Sequence, residues 1–184
     1  MRRFALLALL LSLPVALRAT VIVPIEFREL VTTTPVIVHG RVTDVRSAFT
    51  DGRRSVETFV TVSADEYLKG DLGEYVTFRV PGGEIGRYRT IFVGAPGFSR
   101  GDEVVLFLKT PRGALPFIAG LNQGAYRVVA DRESGRRMVT TPIVMSRGGE
   151  EAEPIVRGSP ARRPLPIETF RDTVRSVLAQ GAAR

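Results

Sequence analysis

The sequence predicts a mainly β domain, a single barrel or sandwich with a short N-terminal helix and a C-terminal amphipathic helix, and three observations carry that prediction. Apolar and polar residues alternate with period two from Val36 onward, as in a strand with one buried face. Gly-rich or Pro-rich turns then separate β-branched and aromatic runs at roughly 8 to 12 residue spacing, the rhythm of an all-β domain. No helical period lies between those runs, which argues against a doubly wound α/β fold.

The chain opens with Arg2 and Arg3, an almost continuous apolar run from Phe4 to Leu13, and Pro14. A cationic start and an apolar stretch too short for a membrane span, which needs roughly 20 residues, read as a secretory signal. Residues 1–19 are assigned to it, with cleavage after Ala19 by the general secretory route, because the residues after the twin arginine do not fit the twin-arginine pattern. Export to the periplasm or the extracellular space is expected, with no transmembrane helix once the signal is removed.

What remains is one domain by length, able to bury roughly two thirds of its unfolded surface. A first helix is expected over 24–31. Pro24 suits a first turn, Glu26 and Glu29 favour the N-terminal dipole, and Phe27, Leu30 and Val31 share a face. After Pro35, one side of a long strand carries Val36, Val38, Gly40 and Val42 and the other Ile37, His39, Arg41 and Thr43, continuing to Phe49 with a bend at Gly40. Asp51-Gly52 signals a turn, and the run from Val56 to Tyr67 returns as the second arm of a hairpin. Further strands are expected near 75–80, 89–93, 103–109, 116–119, 125–130 and 137–141, so that 20–141 forms the β-barrel domain.

From 142 to 165 Pro, Gly, Glu and Arg dominate, a composition that reads as a flexible connector. The tail 166–184 holds an amphipathic helix. Ile167, Phe170, Val174, Val177 and Leu178 form its apolar stripe, opposite Glu168, Arg171, Asp172 and Arg175, with Glu168–Arg171 and Asp172–Arg175 suited to pair at three-residue spacing. The stripe is expected to dock on the barrel, the alternative being a partner or a membrane surface.

Composition removes several chemistries. The 184 residues include no Cys, no Trp and one His, which excludes disulfides, thiolate nucleophiles and multi-histidine metal sites. The formal charge of +7 divides unevenly: residues 1–19 carry three arginines and no acid, 20–131 balance 13 basic against 13 acidic side chains, and 132–184 hold 10 against 6. A nucleic-acid footprint would concentrate cations among stacking aromatics. Here the excess lies where Phe170 is the sole aromatic, so no nucleic-acid partner is expected.

Few motifs remain. Gly97-Phe98-Ser99-Arg100-Gly101 matches the nucleophile elbow G-x-S-x-G, but a strand follows Ser99 where the elbow needs a helix, and His39 precedes the serine. Arg100-Gly101-Asp102 matches an adhesion tripeptide and equally suits a turn before a strand. His39 has no acid at the spacings that would help it hold a metal, so it reads as a surface or strand histidine, and no metal or cofactor is expected. In Pro81-Gly82-Gly83-Glu84-Ile85-Gly86 the glycines would let backbone approach a ligand closely, although the phosphate-loop ending is missing and a tight turn needs the same residues. Gly82, Gly83, Glu84, Ser99 and Arg100 are therefore the candidate ligand-binding residues, with no catalytic set.

Several stretches, taken in order, resemble a known group: Val36-Ile37-Val38-His39-Gly40-Arg41-Val42, Thr58-Phe59-Val60-Thr61-Val62, Tyr67-Leu68-Lys69-Gly70, Val80-Pro81-Gly82-Gly83-Glu84, Gly94-Ala95-Pro96-Gly97-Phe98, the run from Gly101 to Leu108, and Gly124-Ala125-Tyr126-Arg127-Val128. Together they look like uncharacterised exported bacterial proteins whose barrel is similar to the netrin-like module of tissue inhibitors of metalloproteinases. The resemblance implies an OB-type β-barrel with flanking helices over about residues 25–130, and a binding module, with a co-secreted metalloprotease as one conceivable ligand. Those inhibitors chelate zinc through an N-terminal cysteine that this chain lacks, so their mechanism does not transfer. An immunoglobulin-like sandwich is the alternative fold. The expected function is an exported, non-catalytic module that binds a protein or envelope ligand through the loops around 81–101. An envelope hydrolase using Ser99 or Glu84, or a structural envelope protein docked through its C-terminal helix, are the alternatives.

Overall fold

The computed structural model describes residues 24–52, 54–140 and 164–182. The expected signal at 1–19, and the expected connector apart from its last two residues, lie outside these. Within them the chain is mainly β, with a short helix of 7 residues near the start and one of 16 residues near the end.

Helix α1 spans Phe27–Thr33, three residues later than its apolar pattern predicts. Ile25 donates its N–H to Gln123 Oε1 at 2.7 Å, and Glu26 is extended at φ −66° and ψ 142°, so the segment before Phe27 is tied to a distant loop instead of opening the helix. The helix stops before Pro35, whose ring disfavours helical backbone at Thr34. Lys69 Nζ donates to the carbonyls of Val31 (2.9 Å) and Thr32 (2.7 Å), a cation on the carbonyl end of the helix dipole.

Strands β1 (Val36–Thr50) and β2 (Ser55–Lys69) form the long expected hairpin, turned by Asp51 and Gly52, both with positive φ. Its register shifts between His39 and Gly40 and again between Val42 and Asp44. A Cβ on Gly40 would stand 2.2 Å from the Ser63 carbonyl oxygen, so the bend needs glycine because two backbones touch there. Strand β3 (Tyr75–Pro81) continues the meander, followed by the small hairpin of β4 (Gly83–Ile85) and β5 (Tyr88–Thr90).

Strand β6 (Glu103–Lys109) has two different edges. One pairs with β1 from Val36 to Arg41, and the other is shared by β8 (Ala125–Ala130) and the two-residue β7 (Phe117–Ile118). The fork lies at Phe107, which donates to Gly124 and accepts from Ala119, both at 2.9 Å. Because β7 also pairs in parallel with β3, strands β1, β2, β3, β7 and β6 close into a ring. Strands β9 (Arg137–Thr140) and β10 (Leu165–Pro166) extend the sheet beyond β8. The strands outside the small hairpin thus make one sheet that closes on itself, not the two facing sheets of an immunoglobulin-like sandwich.

Two cores result. Val38, Val60, Val62, Phe78, Leu106 and Leu108 are among the side chains filling the ring. Ile37, Val105, Phe107, Tyr126 and Val139 point the other way and are covered by α1 and by α2 (Ile167–Ala182). β6 is apolar at consecutive positions because both its faces are buried. Helix α2 docks on the sheet through Ile167, Phe170, Val174 and Val177, as expected, and Arg28 of α1 reaches Gln180 at 2.7 Å. Phe27 meets Phe107, Tyr126 and Phe170 edge-on, with centroids 5.6 to 6.3 Å apart.

Two expectations need correction. The strand predicted over 89–93 ends at Thr90, and Ile91, Phe92 and Val93 face solvent. Pairing with β4 runs out there, and a turn closed by Ala95 N–H on the Phe92 carbonyl (3.1 Å) follows. Arg171 is turned inward to His39 and Glu66 instead of pairing with Glu168, whereas the Asp172–Arg175 pair forms at 3.6 Å.

Candidate functional site

The predicted binding loops converge on the distal half of β1 from two directions. Gly82 and Gly83 have positive φ and carry the chain from β3 into β4. A Cβ on Gly83 would lie 2.7 Å from Thr58 Oγ1 and 2.8 Å from Ser47 Oγ, so these glycines let β4 lie flat on the β1–β2 hairpin. Thr58 Oγ1 donates to the Gly82 carbonyl at 2.8 Å, and the Glu84 N–H reaches Ser47 Oγ at 3.3 Å. The Glu84 carboxylate is exposed, with Arg89 across the hairpin at 3.9 Å.

Ser99 and Arg100 arrive from the loop before β6. Ser99 begins a tight turn in which its N–H bonds Asp102 Oδ2 at 2.8 Å and its carbonyl accepts from the Asp102 N–H at 3.1 Å. Arg100 pairs with Asp44 of β1. Arg127 donates to Asp102 at 2.6 Å and also to the Gly97 carbonyl, with its guanidinium 5.7 Å from the centroid of the Phe98 ring. Phe98 meets the core residue Phe78 edge-on at 5.5 Å, so the loop closes one mouth of the ring. Both charged ends of Arg100-Gly101-Asp102 are thereby held within the molecule. Among the described residues no hydrogen bond or ion pair joins Glu84 to Ser99 or Arg100.

His39 is not at the surface: it is 1% exposed, under α2. Its Nε2 lies 2.8 Å from Glu103 Oε1, and its Nδ1 faces Arg171 Nη2 at 3.3 Å. A guanidinium can only donate, so Nδ1 is the acceptor and the proton sits on Nε2. Glu103 also accepts from Arg137 at 3.0 Å and has Arg41 at 3.6 Å, while Glu66 holds Arg171 at 2.8 Å and Arg175 at 2.9 Å. The sheet register places Glu66 opposite His39 and Arg41 opposite Glu103. This network fastens α2 to the ring and makes no contact with Ser99, so the two do not form a nucleophile–base pair. Sequence reasoning missed it because its members come from β1, β2, β6, β9 and α2.

Two further features adjoin the predicted loops. A cavity of about 310 Å³ lies at the seam where β3 meets β7, bounded by Val80, Pro81, Pro96, Phe117, Ile118 and Leu121, with the Glu57–Arg79 pair (3.7 Å) at its wall. Leu121 has φ 63°, a left-handed conformation that costs a branched side chain energy and marks sites held by their surroundings. Beside it, Ile91, Phe92 and Val93 are 71%, 51% and 82% exposed, and Tyr88 50%. The signal for this patch was the run Gly94-Ala95-Pro96-Gly97, which cannot continue a strand and so leaves the preceding apolar triplet without pairing.

Among the described residues no three His, Asp or Glu side chains group closely enough to hold a metal ion, and no helix is long and apolar enough to cross a membrane. No protein-family model, curated protein or solved structure matches the chain.

Proposed function

We propose that this chain is an exported, non-catalytic binding module with an OB-type barrel, recognising a protein or envelope ligand through the loops between residues 81 and 101. The observation that carries the reading is the exposed apolar run Ile91-Phe92-Val93 beside the seam cavity, both bordered by those loops. A contiguous apolar surface that the fold itself leaves uncovered is characteristic of recognition. The barrel reading is supported by the closed order β1-β2-β3-β7-β6 with its single parallel pairing. Export is supported by the Arg2-Arg3 start and the apolar run to Leu13.

The test is cross-linking capture from the exported fraction with wild-type protein and with an Ile91→Asp/Val93→Asp variant, alongside hydrolase screening of Ser99→Ala and Glu84→Gln. The reading expects a defined component that wild type holds and the loop variant loses. Identical capture by both proteins, or a hydrolytic activity abolished by Ser99→Ala or Glu84→Gln, overturns it.

A further inference from the structure

We infer that Tyr88, Ile91, Phe92 and Val93 form a wedge that enters the interface of an anionic lipid surface, with Arg54, Arg87 and Arg89 set against its headgroups. The inference rests on the binding-module reading of these loops and names the partner.

Shape comes first. Three consecutive large apolar side chains, Ile91, Phe92 and Val93, stand exposed where β5 gives way to a turn, and Tyr88 at the start of β5 is half-exposed. The backbone behind them is fixed. Thr90 Oγ1 accepts the Val56 N–H at 3.1 Å, Phe92 crosses Gly82 so closely that a Cβ there would lie 3.3 Å from its backbone nitrogen, and Phe49 meets Tyr88 edge-on at 5.5 Å. An exposed apolar tip held by its backbone suits insertion between headgroups.

Charge selects the surface. The flanking segments 51–54 and 84–93 carry four arginines and two acids. Arg87 lies over the Tyr88 ring at 5.2 Å and bonds its hydroxyl at 3.2 Å, with no carboxylate partner among the described residues. Among the described residues Arg54 likewise has none, and it stands two residues before Val56, whose N–H is tied to Thr90. Of the acids, Glu84 has Arg89 at 3.9 Å and Asp51 sits at the hairpin turn, while the neighbouring Asp44 and Glu57 are neutralised by Arg100 and Arg79. Arginine beside an amphipathic tyrosine, around an apolar tip, matches phosphate headgroups over acyl chains.

The test uses protein recovered from the exported fraction, so that the apolar N-terminal run does not itself bind lipid. The chain has no tryptophan, so Phe92→Trp supplies a single reporter. With phosphatidylcholine vesicles containing phosphatidylglycerol, its emission is expected to shift to the blue and the protein to co-sediment. Arg87→Ser/Arg89→Ser should weaken that binding about tenfold or more, and phosphatidylcholine alone should bind weakly. Ile91→Asp/Val93→Asp should abolish it while leaving circular dichroism and thermal midpoint unchanged, since both side chains are exposed. Unshifted emission without co-sedimentation, or vesicle binding that survives Ile91→Asp/Val93→Asp, overturns the inference. If vesicles are not bound but that same variant still loses a captured protein, the lipid partner fails while the binding-module reading stands.

Discussion

Tyr126 and Glu103 show how single side chains set the terms on which the outer layer holds together. Tyr126 lies among Phe27, Phe107 and Phe170, and burial pushes its phenol up to about 12. A tyrosine in the unfolded chain titrates near pH 10, so between these values the unfolded state releases a proton that the folded state keeps. The associated stability is complete below about pH 10 and falls by about 2 to 3 kcal/mol as pH rises through 12. Urea unfolding of Tyr126→Phe at alkaline pH should show that slope removed, leaving the smaller contributions of Tyr67 and Tyr75, whose phenols are also raised. An unchanged slope would mean the phenol is not held in the core. Glu103 is the shared acceptor of His39 and Arg137. Glu103→Ala would leave a buried N–H and a guanidinium without it, at a cost of about 3 kcal/mol, whereas Glu103→Gln keeps an acceptor for His39 and should cost about half as much. Unfolding midpoints equal to that of wild type in both variants would show that the network does not depend on this carboxylate.

Elements whose partners are local were legible in the sequence, and those defined by distant contacts were not. The long hairpin and β8 follow from alternation and turn residues, and β6 from a continuous apolar run of strand length bounded by turn residues, because a strand's own side chains record which of its faces are buried. The α2 stripe was legible for the same reason, yet the inward turn of Arg171 was not, since it depends on His39 and Glu66 far away in sequence. β4 and β10, only three and two residues long, carry no period of their own. The candidate loops were legible as glycine-rich, but the space beside Gly83 is filled by Ser47 and Thr58, and that beside Gly82 by Thr90 and Phe92, which no local pattern announces. At this scale two substitutions are decisive. Gly40→Ala would drive a Cβ into the Ser63 carbonyl at the point where β1 bends, and should cost about 3 kcal/mol or more. Phe170→Ala would empty the contact with Phe27 and Tyr126 under α2, at about 3 to 5 kcal/mol. Denaturant titration measures both, and a Gly40→Ala protein as stable as wild type would refute the close approach of the two backbones.

For the whole molecule, the ring is held unevenly around its circumference. β1 joins β2 along nearly its full length and β6 over Val36 to Arg41, and β6 is covered on one face by the ring core and on the other by the α1–α2 layer. The closure between β3 and β7 rests on one register pair, Arg79 with Phe117, and on the Arg79 N–H bonded to the Pro116 carbonyl at 2.9 Å. The cavity lies along the same seam, and Arg79 is half-exposed there. Opening the ring at this point breaks few backbone bonds, whereas freeing Phe107 requires separating β6 from Gly124 and disrupting the outer core. Local opening free energies follow such differences in buried contact. The Arg79 amide should therefore exchange with solvent at least about 100-fold faster, relative to its intrinsic rate, than the Phe107 amide, through an opening that leaves the rest of the sheet intact. Native-state hydrogen exchange in low denaturant separates the alternatives. If Arg79 and Phe107 show equal protection with the full denaturant dependence of global unfolding, the ring opens only when the molecule unfolds. If Arg79 exchanges early and without denaturant dependence, the seam is a yielding joint beside the cavity, placed where a ligand held by the 81–101 loops would bear on it.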